Sequence, residues 1–267
     1  MARGSGEFGC THVQVEQWIG WQTRERGVKP HIIARRVSGL ATFYKWAKKR
    51  ALVVTDPVYL VEKPKRPQRL PVWLEREEQA RLHAVAAADS EALPATLQGN
   101  ARARILAARR RHALLLALIQ NAGLRIGEAL ALTVRDVRLS GALAKSVRVV
   151  GKGDKERVVP LPAAFGAVLG AWVTPLPKDA FVFAKAPGQG PPTAHAVRLH
   201  LRRLVDAAGI DKRVTPHKLR HTYATRLLES GAQLVDIQAL LGHANLATTQ
   251  IYTHVAEERM ADVVAKL

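Results

Sequence analysis

A predicted helix in the last third of the chain carries side chains that could do chemistry on a phosphate. The segment TPHKLRHTYATRLL, residues 215–228, opens with Pro216 and has apolar residues at helical spacing. His217 and Arg220 lie one turn apart on it, and the segment contains no carboxylate that could neutralise them. An imidazole beside a guanidinium can transfer a proton and hold an anion, so the pair is a candidate phosphate site.

Three other segments supply further groups of the same kind. AGLRIGEAL holds Arg125 at a tight helix entrance, with Glu128 one turn later to brace its guanidinium. GKGDKE holds Lys152 in a glycine turn, and LLGH holds His243. Each residue alone is common in structural roles. Together with His217 and Arg220, they would offer two planar guanidinium groups, two imidazoles and an ammonium to a phosphodiester whose negative charge grows in the transition state.

A tyrosine could supply a nucleophile, and the chain has four. Tyr44 lies on an apolar helix stripe and Tyr59 lies beside a proline-rich segment. Tyr223 belongs to the apolar stripe of its helix, and its side chain points about 120° away from that of His217, so it is predicted to pack in the core. Tyr252, in LGHANLATTQIYTHV, is the one left near polar residues, although a tyrosine at a helix end can also be structural.

The histidines could instead bind a metal, because His217 and His221 have the spacing that holds zinc on one helix face. However, no glutamate follows His217, and Arg220 between the two histidines would repel a cation. We therefore predict no metal.

The composition indicates a polyanionic partner. Lys and Arg number 41 against 22 for Asp and Glu among 267 residues, which gives a net charge of +19. Nucleic acid is the leading candidate, and an inert basic surface is the alternative. The single cysteine, Cys10, allows no intramolecular disulfide and favours an intracellular protein. The start MARGSGEF has no apolar core, so we expect no secretion signal, and no apolar run is long enough to predict a membrane span.

The elements that must position these groups are mostly helical. We predict a small helical domain over 1–62, a basic proline-rich linker over 63–71 and an α-rich domain with a small antiparallel sheet over 72–267. SVRVV and RVVPL form a predicted hairpin over 146–161. The helices are predicted at 12–26, 31–50, 74–88, 111–122, 163–172, 193–208, 215–229, 233–241 and 246–254. The segment 89–110 is predicted as loop and helix without assigned edges.

Basic residues of the first domain and the linker are candidate nucleic-acid contacts, because each neutralised phosphate adds sequence-independent affinity. A solvated helix face is the alternative for those on the helix. The candidates are Arg35, Arg36, Lys45, Lys48, Lys49, Lys65 and Arg66.

Four blocks together resemble the tyrosine site-specific recombinases of the lambda integrase superfamily, most closely the Xer type that resolves chromosome dimers. They are GLRIGEAL, GKGDKERVVPL, HKLRHTYATRLLESG and LLGHANLATTQIYTHV, and the resemblance runs from about Leu74 to the end. It implies a two-domain clamp on DNA. It also implies cleavage through a 3′-phosphotyrosyl bond and a Holliday junction, without ATP or another cofactor. The catalytic residues that it implies are Arg125, Lys152, His217, Arg220, His243 and the nucleophile Tyr252, with Glu128 in support.

The resemblance also implies partners. They are duplex DNA with a specific core site, a second copy or a paralogue within a synaptic tetramer, and a DNA translocase as a further candidate. The implied location is the nucleoid in the cytoplasm, and no membrane partner is expected. The apolar tail HVAEERMADVVAKL is expected to dock on its own domain or on a neighbouring subunit.

The family's core-binding domain normally has about four helices. This chain has room for two or three, so we expect a truncated N-terminal domain. Three alternatives stay open: a phage or mobile-element integrase, a type IB topoisomerase, and a DNA-binding protein without catalysis.

Overall fold

The computed structural model describes residues 9–62, 73–91, 99–151 and 155–242. The chain divides into two compact units, Met1–Arg69 and Leu70–Leu267. Over the described ranges it forms helices and one three-stranded antiparallel sheet, which confirms the predicted fold class at the level of secondary structure. None of the described helices is long and apolar enough to cross a membrane. The predicted linker, the helix at 246–254 and the apolar tail lie outside the described residues.

Over residues 9–62, the first unit forms two helices, α1 (His12–Arg24) and α2 (Pro30–Lys49). Thr11 caps α1 by accepting from the Gln14 N–H at 3.3 Å, while the Gln14 side chain accepts from the Thr11 N–H at 2.9 Å. Proline at the start of α2 fits a first helical turn. The two helices bury the apolar stripes predicted from the sequence, in a small core of Val15, Ile33, Val37, Tyr44, Val58 and Val61.

The second unit contains the other helices and the sheet. Its helices are α3 (Arg76–Glu91), α4 (Gly99–Ala122), α5 (Ile126–Ala131), α6 (Ala163–Val173), α7 (Ala194–Ala207), α8 (Pro216–Glu229) and α9 (Leu234–Leu241), with a short 3-10 helix at Val134–Asp136. Helix α4 begins 12 residues before the predicted helix at 111–122. Alanine and arginine in ARARILAARRR favour a helix by propensity, although they lack the apolar period on which the prediction relied.

The sheet has strands β1 (Val137–Ser140), β2 (Leu143–Val150) and β3 (Glu156–Pro160), in the order β1-β2-β3. The predicted hairpin is β2–β3, with Val147 paired to Val159. Strand β1 was not predicted, because it is four residues long and only Val137 in it is buried. The buried face of the sheet joins the main core, in which Leu115, Leu118, Ile119 and Leu169 are fully enclosed.

The start of the second unit is held directly by α8. The backbone N–H of Leu74 donates to Thr222 Oγ1 at 3.0 Å, and the Leu74 carbonyl accepts from Arg226 Nη2 at 2.8 Å. Arg226 also pairs with Glu229 at 2.8 Å. Leu74 itself is 1% exposed. The helix that carries the cationic pair is therefore held, on the side away from that pair, by the backbone that precedes α3.

Helix α6 approaches the sheet closely enough to require glycine. A Cβ at Gly170 would lie 1.9 Å from the Ala142 carbonyl oxygen, and one at Gly166 would lie 2.3 Å from the Ala144 carbonyl oxygen. Both obstacles are backbone atoms, which cannot move aside as a side chain can.

We expect Gly170→Ala to lower the free energy of unfolding by about 1–3 kcal/mol, because the added methyl group forces α6 away from the sheet. Urea unfolding followed by circular dichroism measures this change. Gly127→Ala is the control, since no atom of the described residues lies within 4 Å of a Cβ placed there, and it should be neutral or stabilising by about 0.5–1 kcal/mol. Equal stability of the two variants would contradict the close approach of α6.

Candidate active site

Helix α8 presents the cationic pair through its first two turns. The Thr215 side chain caps the helix by accepting from the Lys218 N–H at 3.3 Å, and Pro216 occupies the first turn. Leu219 is fully buried and fixes the rotation of the helix. This rotation leaves His217 open to solvent, with its ring 4.6 Å from the ring of His221 in an edge-to-face arrangement.

Arg220 joins the ends of two helices. Its Nη1 donates to the Gly123 carbonyl at 2.7 Å and its Nη2 donates to the Leu241 carbonyl at 2.5 Å. Gly123 has a positive φ of 60°, and a Cβ there would lie 2.4 Å from the Tyr223 ring. Only glycine can therefore end α4 in this way. The arginine is 2% exposed, so the end of α4 and the end of α9 close around its guanidinium.

Glu128 is the central carboxylate of the site. Arg125 contacts it twice, through its backbone N–H at 2.8 Å and its Nη1 at 2.7 Å. Arg157 contacts both carboxylate oxygens, with Nη2 at 2.7 Å and Nη1 at 3.2 Å. Arg220 Nη1 lies 3.7 Å away. Burial alone would raise the pKa of Glu128, but the hydrogen bonds from Arg157 and Arg125 outweigh it and lower the pKa.

The cluster therefore has an excess of positive charge, because three guanidinium groups share one carboxylate. This excess reaches His217. Partial removal from water lowers the pKa of its imidazole, and the charges of Arg220 and Arg125 lower it further. Its ordinary value is already below 7. At neutral pH His217 is thus an uncharged imidazole beside a cationic pocket, which can accept a proton from a reacting group.

The structure brings together four of the residues predicted for the site. Arg125 and Glu128 come from the start of α5, and His217 and Arg220 come from the start of α8. Arg125 keeps 46% of its side chain exposed, so its guanidinium is the accessible one of this group. The other predicted catalytic residues lie outside the described residues; they are Lys152, His243 and Tyr252.

Gly151 and Gly242, which precede Lys152 and His243 in the sequence, lie beside the cluster of arginines around Glu128. The Gly242 carbonyl accepts from Arg125 Nη2 at 3.4 Å. Gly242 has a φ of 63°, which ends α9 with a left-handed residue. Gly151 lies next to Arg157, whose Nη1 would be 3.6 Å from a Cβ at that glycine. Gly151 and Gly242 therefore both lie beside the same group of arginines.

Sequence reasoning missed Arg157. It lies within GKGDKERVVPL, but an arginine on a short strand is usually solvated, and nothing in the local pattern indicates a buried partner. It also missed the basic residues of α7. His195, Arg198 and Arg202 line an open groove of about 750 Å³ together with Arg213, which precedes α8.

The predicted contacts on α2 are on an exposed face. Arg36 is also held by α1, because its Nη1 donates to Gln22 Oε1. Two other predicted contacts, Lys65 and Arg66, lie outside the described residues. The exposed residues are Arg35, Arg36, Lys45, Lys48 and Lys49.

Metal-binding arrangements were sought among the acidic, histidine and cysteine side chains. Within residues 9–62, 73–91, 99–151 and 155–242, no three such side chains come together in a group that could hold a metal ion.

Comparison with known proteins relates these residues to a family. Residues 95–259 match the phage integrase family. Tyrosine recombinase XerD of Caulobacter vibrioides is 40% identical over 248 residues, which are 90% of this chain and 75% of the relative. Tyrosine recombinase XerC of Xanthomonas campestris is 36% identical over 240 residues, which are 89% of this chain and 68% of the relative.

A solved structure shows the same fold. The XerH site-specific recombinase bound to palindromic difH substrate, in a post-cleavage complex, matches with a TM-score of 0.73. The identity is 22%, and the match covers 96% of this chain and 72% of the XerH chain. The family match spans more than half of the chain, and the alignments with the related enzymes cover about nine tenths of it. The chain therefore belongs to the phage integrase family and is a tyrosine recombinase of the Xer type.

Proposed function

We propose that this recombinase cuts and rejoins duplex DNA at a specific core site and resolves chromosome or plasmid dimers. The observation that carries the proposal is the convergence of Arg125, Arg220 and His217 around Glu128. Such a cluster offers guanidinium donors to the non-bridging oxygens of a phosphodiester and a neutral imidazole to its attacking group. The excess of positive charge on the chain supplies affinity for the DNA backbone.

The reaction uses Tyr252 as the nucleophile. An ordinary phenol has a pKa near 10, so its attack needs proton removal or a positive field. His217 takes the phenolic proton as the tyrosine oxygen bonds to phosphorus. The bond from phosphorus to the 5′ oxygen breaks, and Lys152 gives that oxygen a proton. Arg125, Arg220 and His243 hold the phosphate oxygens, where negative charge increases.

The phosphotyrosyl bond preserves the energy of the broken ester. A 5′-hydroxyl from another strand then attacks the phosphorus and releases Tyr252, so the reaction consumes no nucleotide and requires no metal. Two such exchanges through a Holliday junction recombine two duplexes. For these exchanges, four protomers assemble on the DNA, either copies of this chain or copies together with a paralogue. The reaction takes place at the nucleoid in the cytoplasm. A DNA translocase is a further proposed partner.

DNA contacts are proposed on both units, in a clamp around the duplex. The exposed basic face of α2 and the linker would bind phosphates from the first unit. Arg198, Arg202 and Arg213 would do so from the second, because their groove lies beside the start of α8. The Xer relatives found in the comparison make the integrase role the less favoured alternative.

A nicked suicide substrate tests the proposal. Loss of a short strand after cleavage prevents religation, so an active recombinase leaves a covalent protein–DNA adduct that survives denaturing electrophoresis. We expect this adduct at a core site of the Xer type, with equal yield in the presence of EDTA. Tight DNA binding without any adduct would favour the alternative of a non-catalytic DNA-binding protein.

A further inference from the structure

Arg157, the buried arginine of strand β3, has no role in the chemical steps proposed above. It does contact groups that hold the proposed catalytic side chains in place. Arg157 keeps only 11% of its side chain exposed. Its Nε donates to the Leu240 carbonyl at 2.8 Å, and its two terminal nitrogens donate to the carboxylate of Glu128. One guanidinium therefore links the end of α9 to the start of α5. We propose that Arg157 is a positioning residue, which holds Glu128 and the end of α9 in the arrangement that cleavage requires.

The inference rests on the proposed function, because it assigns Arg157 a role toward the residues proposed to act on the phosphate. The first of these is Arg125. Glu128 orients the Arg125 guanidinium through one of the oxygens that also accepts from Arg157. Because Arg157 fixes the Glu128 carboxylate, the Arg125 guanidinium that donates to this carboxylate is fixed as well.

The second connection runs through the end of α9. Arg157 and Arg220 donate to adjacent backbone carbonyls, those of Leu240 and Leu241. Gly242 packs against Arg157, since a Cβ there would lie 3.2 Å from its Nη1. The two arginines together fix the last turn of α9, up to Gly242. The proposed catalytic residue His243 is the next residue of the sequence.

Lysine cannot replace this arginine. The guanidinium uses Nε for the α9 carbonyl and Nη1 and Nη2 for the carboxylate, in one rigid plane. A lysine ammonium is a single point on a flexible stem, so it can pair with Glu128 but cannot also fix the α9 carbonyl in the same geometry. A small misplacement of a catalytic group can cost about 10²-fold in rate.

The test compares Arg157→Met and Arg157→Lys with the wild type in single-turnover cleavage of the suicide substrate at saturating DNA. We expect both variants to cleave about 10- to 100-fold more slowly, with Arg157→Lys nearer to Arg157→Met than to the wild type. DNA dissociation constants should stay within about twofold, because Arg157 is buried and contacts protein groups. Arg111→Met is the matched control, since Arg111 is 8% exposed and donates to the Lys185 carbonyl at 2.8 Å.

A pH profile separates positioning from general stabilisation. The groups that face Glu128 are Arg125, Arg157 and Arg220, with His217 beside them. Without Arg157 the pKa of Glu128 should rise, because burial then meets less opposition. As the pH falls through this raised pKa, Glu128 gains a proton and releases Arg125. Cleavage by Arg157→Met should therefore decline at a higher pH than cleavage by the wild type, and Arg157→Met with Glu128→Gln should lose this added decline.

The outcomes distinguish this inference from the proposed function. If the wild type cleaves the substrate and Arg157→Met cleaves it at the same rate, the inference is overturned and the proposed function is left intact. An equal slowing of Arg111→Met would also overturn the inference, because that result indicates a loss of fold stability alone. A slowed Arg157→Met with the pH profile of the wild type would overturn the connection through Glu128. Absence of an adduct with the wild type would instead contradict the proposed function. Thermal unfolding of every variant sets a common assay temperature below the lowest transition.

Discussion

Tyr252→Phe is expected to form no covalent adduct with the suicide substrate while it binds DNA with nearly the wild-type dissociation constant. The substitution keeps the aromatic ring and removes only the oxygen that would attack phosphorus. Electrophoresis under denaturing conditions measures the adduct, and a mobility-shift titration measures binding. The expected loss is the whole of the signal, since no other group of the proposed site can form a phosphotyrosyl bond.

Tyr223→Phe is the matched control, because it removes a phenol from the described part of the same unit. The Tyr223 ring packs over Gly123, and burial raises the pKa of its hydroxyl, which makes it a poorer nucleophile. This variant should retain adduct formation. An adduct from Tyr252→Phe together with none from Tyr223→Phe would reverse the two assignments.

The helices and the hairpin could be predicted because their apolar residues repeat with the period of the element. Where the period was absent, the prediction was incomplete: the segment 89–110 was predicted as loop and helix without edges, and its second part forms the first half of α4 by propensity. Strand β1 was not predicted, because it is short and is held by its pairing with the adjacent strand β2. The bracing of Arg125 by Glu128 was predictable, since three residues on a helix separate them.

The sharing of Glu128 was not predictable from the sequence. Arg157 lies 29 residues further along the chain, on a strand, and Arg220 lies on another helix. The short segments around them contain no signal for a common partner.

The sequence also does not indicate that the Arg220 guanidinium is enclosed by backbone carbonyls, because such contacts depend on where two other helices end.

Arg220→Lys is expected to slow cleavage by about 10²–10³-fold while DNA binding changes far less. The substitution keeps the charge but removes the planar fork. In the structure that fork donates to two carbonyls, those of Gly123 and Leu241, and lies 3.7 Å from Glu128. A lysine would lose this geometry, so both the orientation of donors toward the phosphate and the closure of α4 against α9 would weaken.

Arg226→Lys provides the control on the same helix. Arg226 also donates to a backbone carbonyl, that of Leu74, and also pairs with a glutamate, but it lies outside the cluster around Glu128. If the loss in Arg220→Lys came only from a weakened fold, Arg226→Lys would show a similar loss at equal thermal stability. We expect Arg226→Lys to cleave within about threefold of the wild type, since the partners of Arg226, the Leu74 carbonyl and Glu229, lie outside the site. Near-normal cleavage by Arg220→Lys would remove the argument that a rigid two-pronged donor at this position stabilises the transition state.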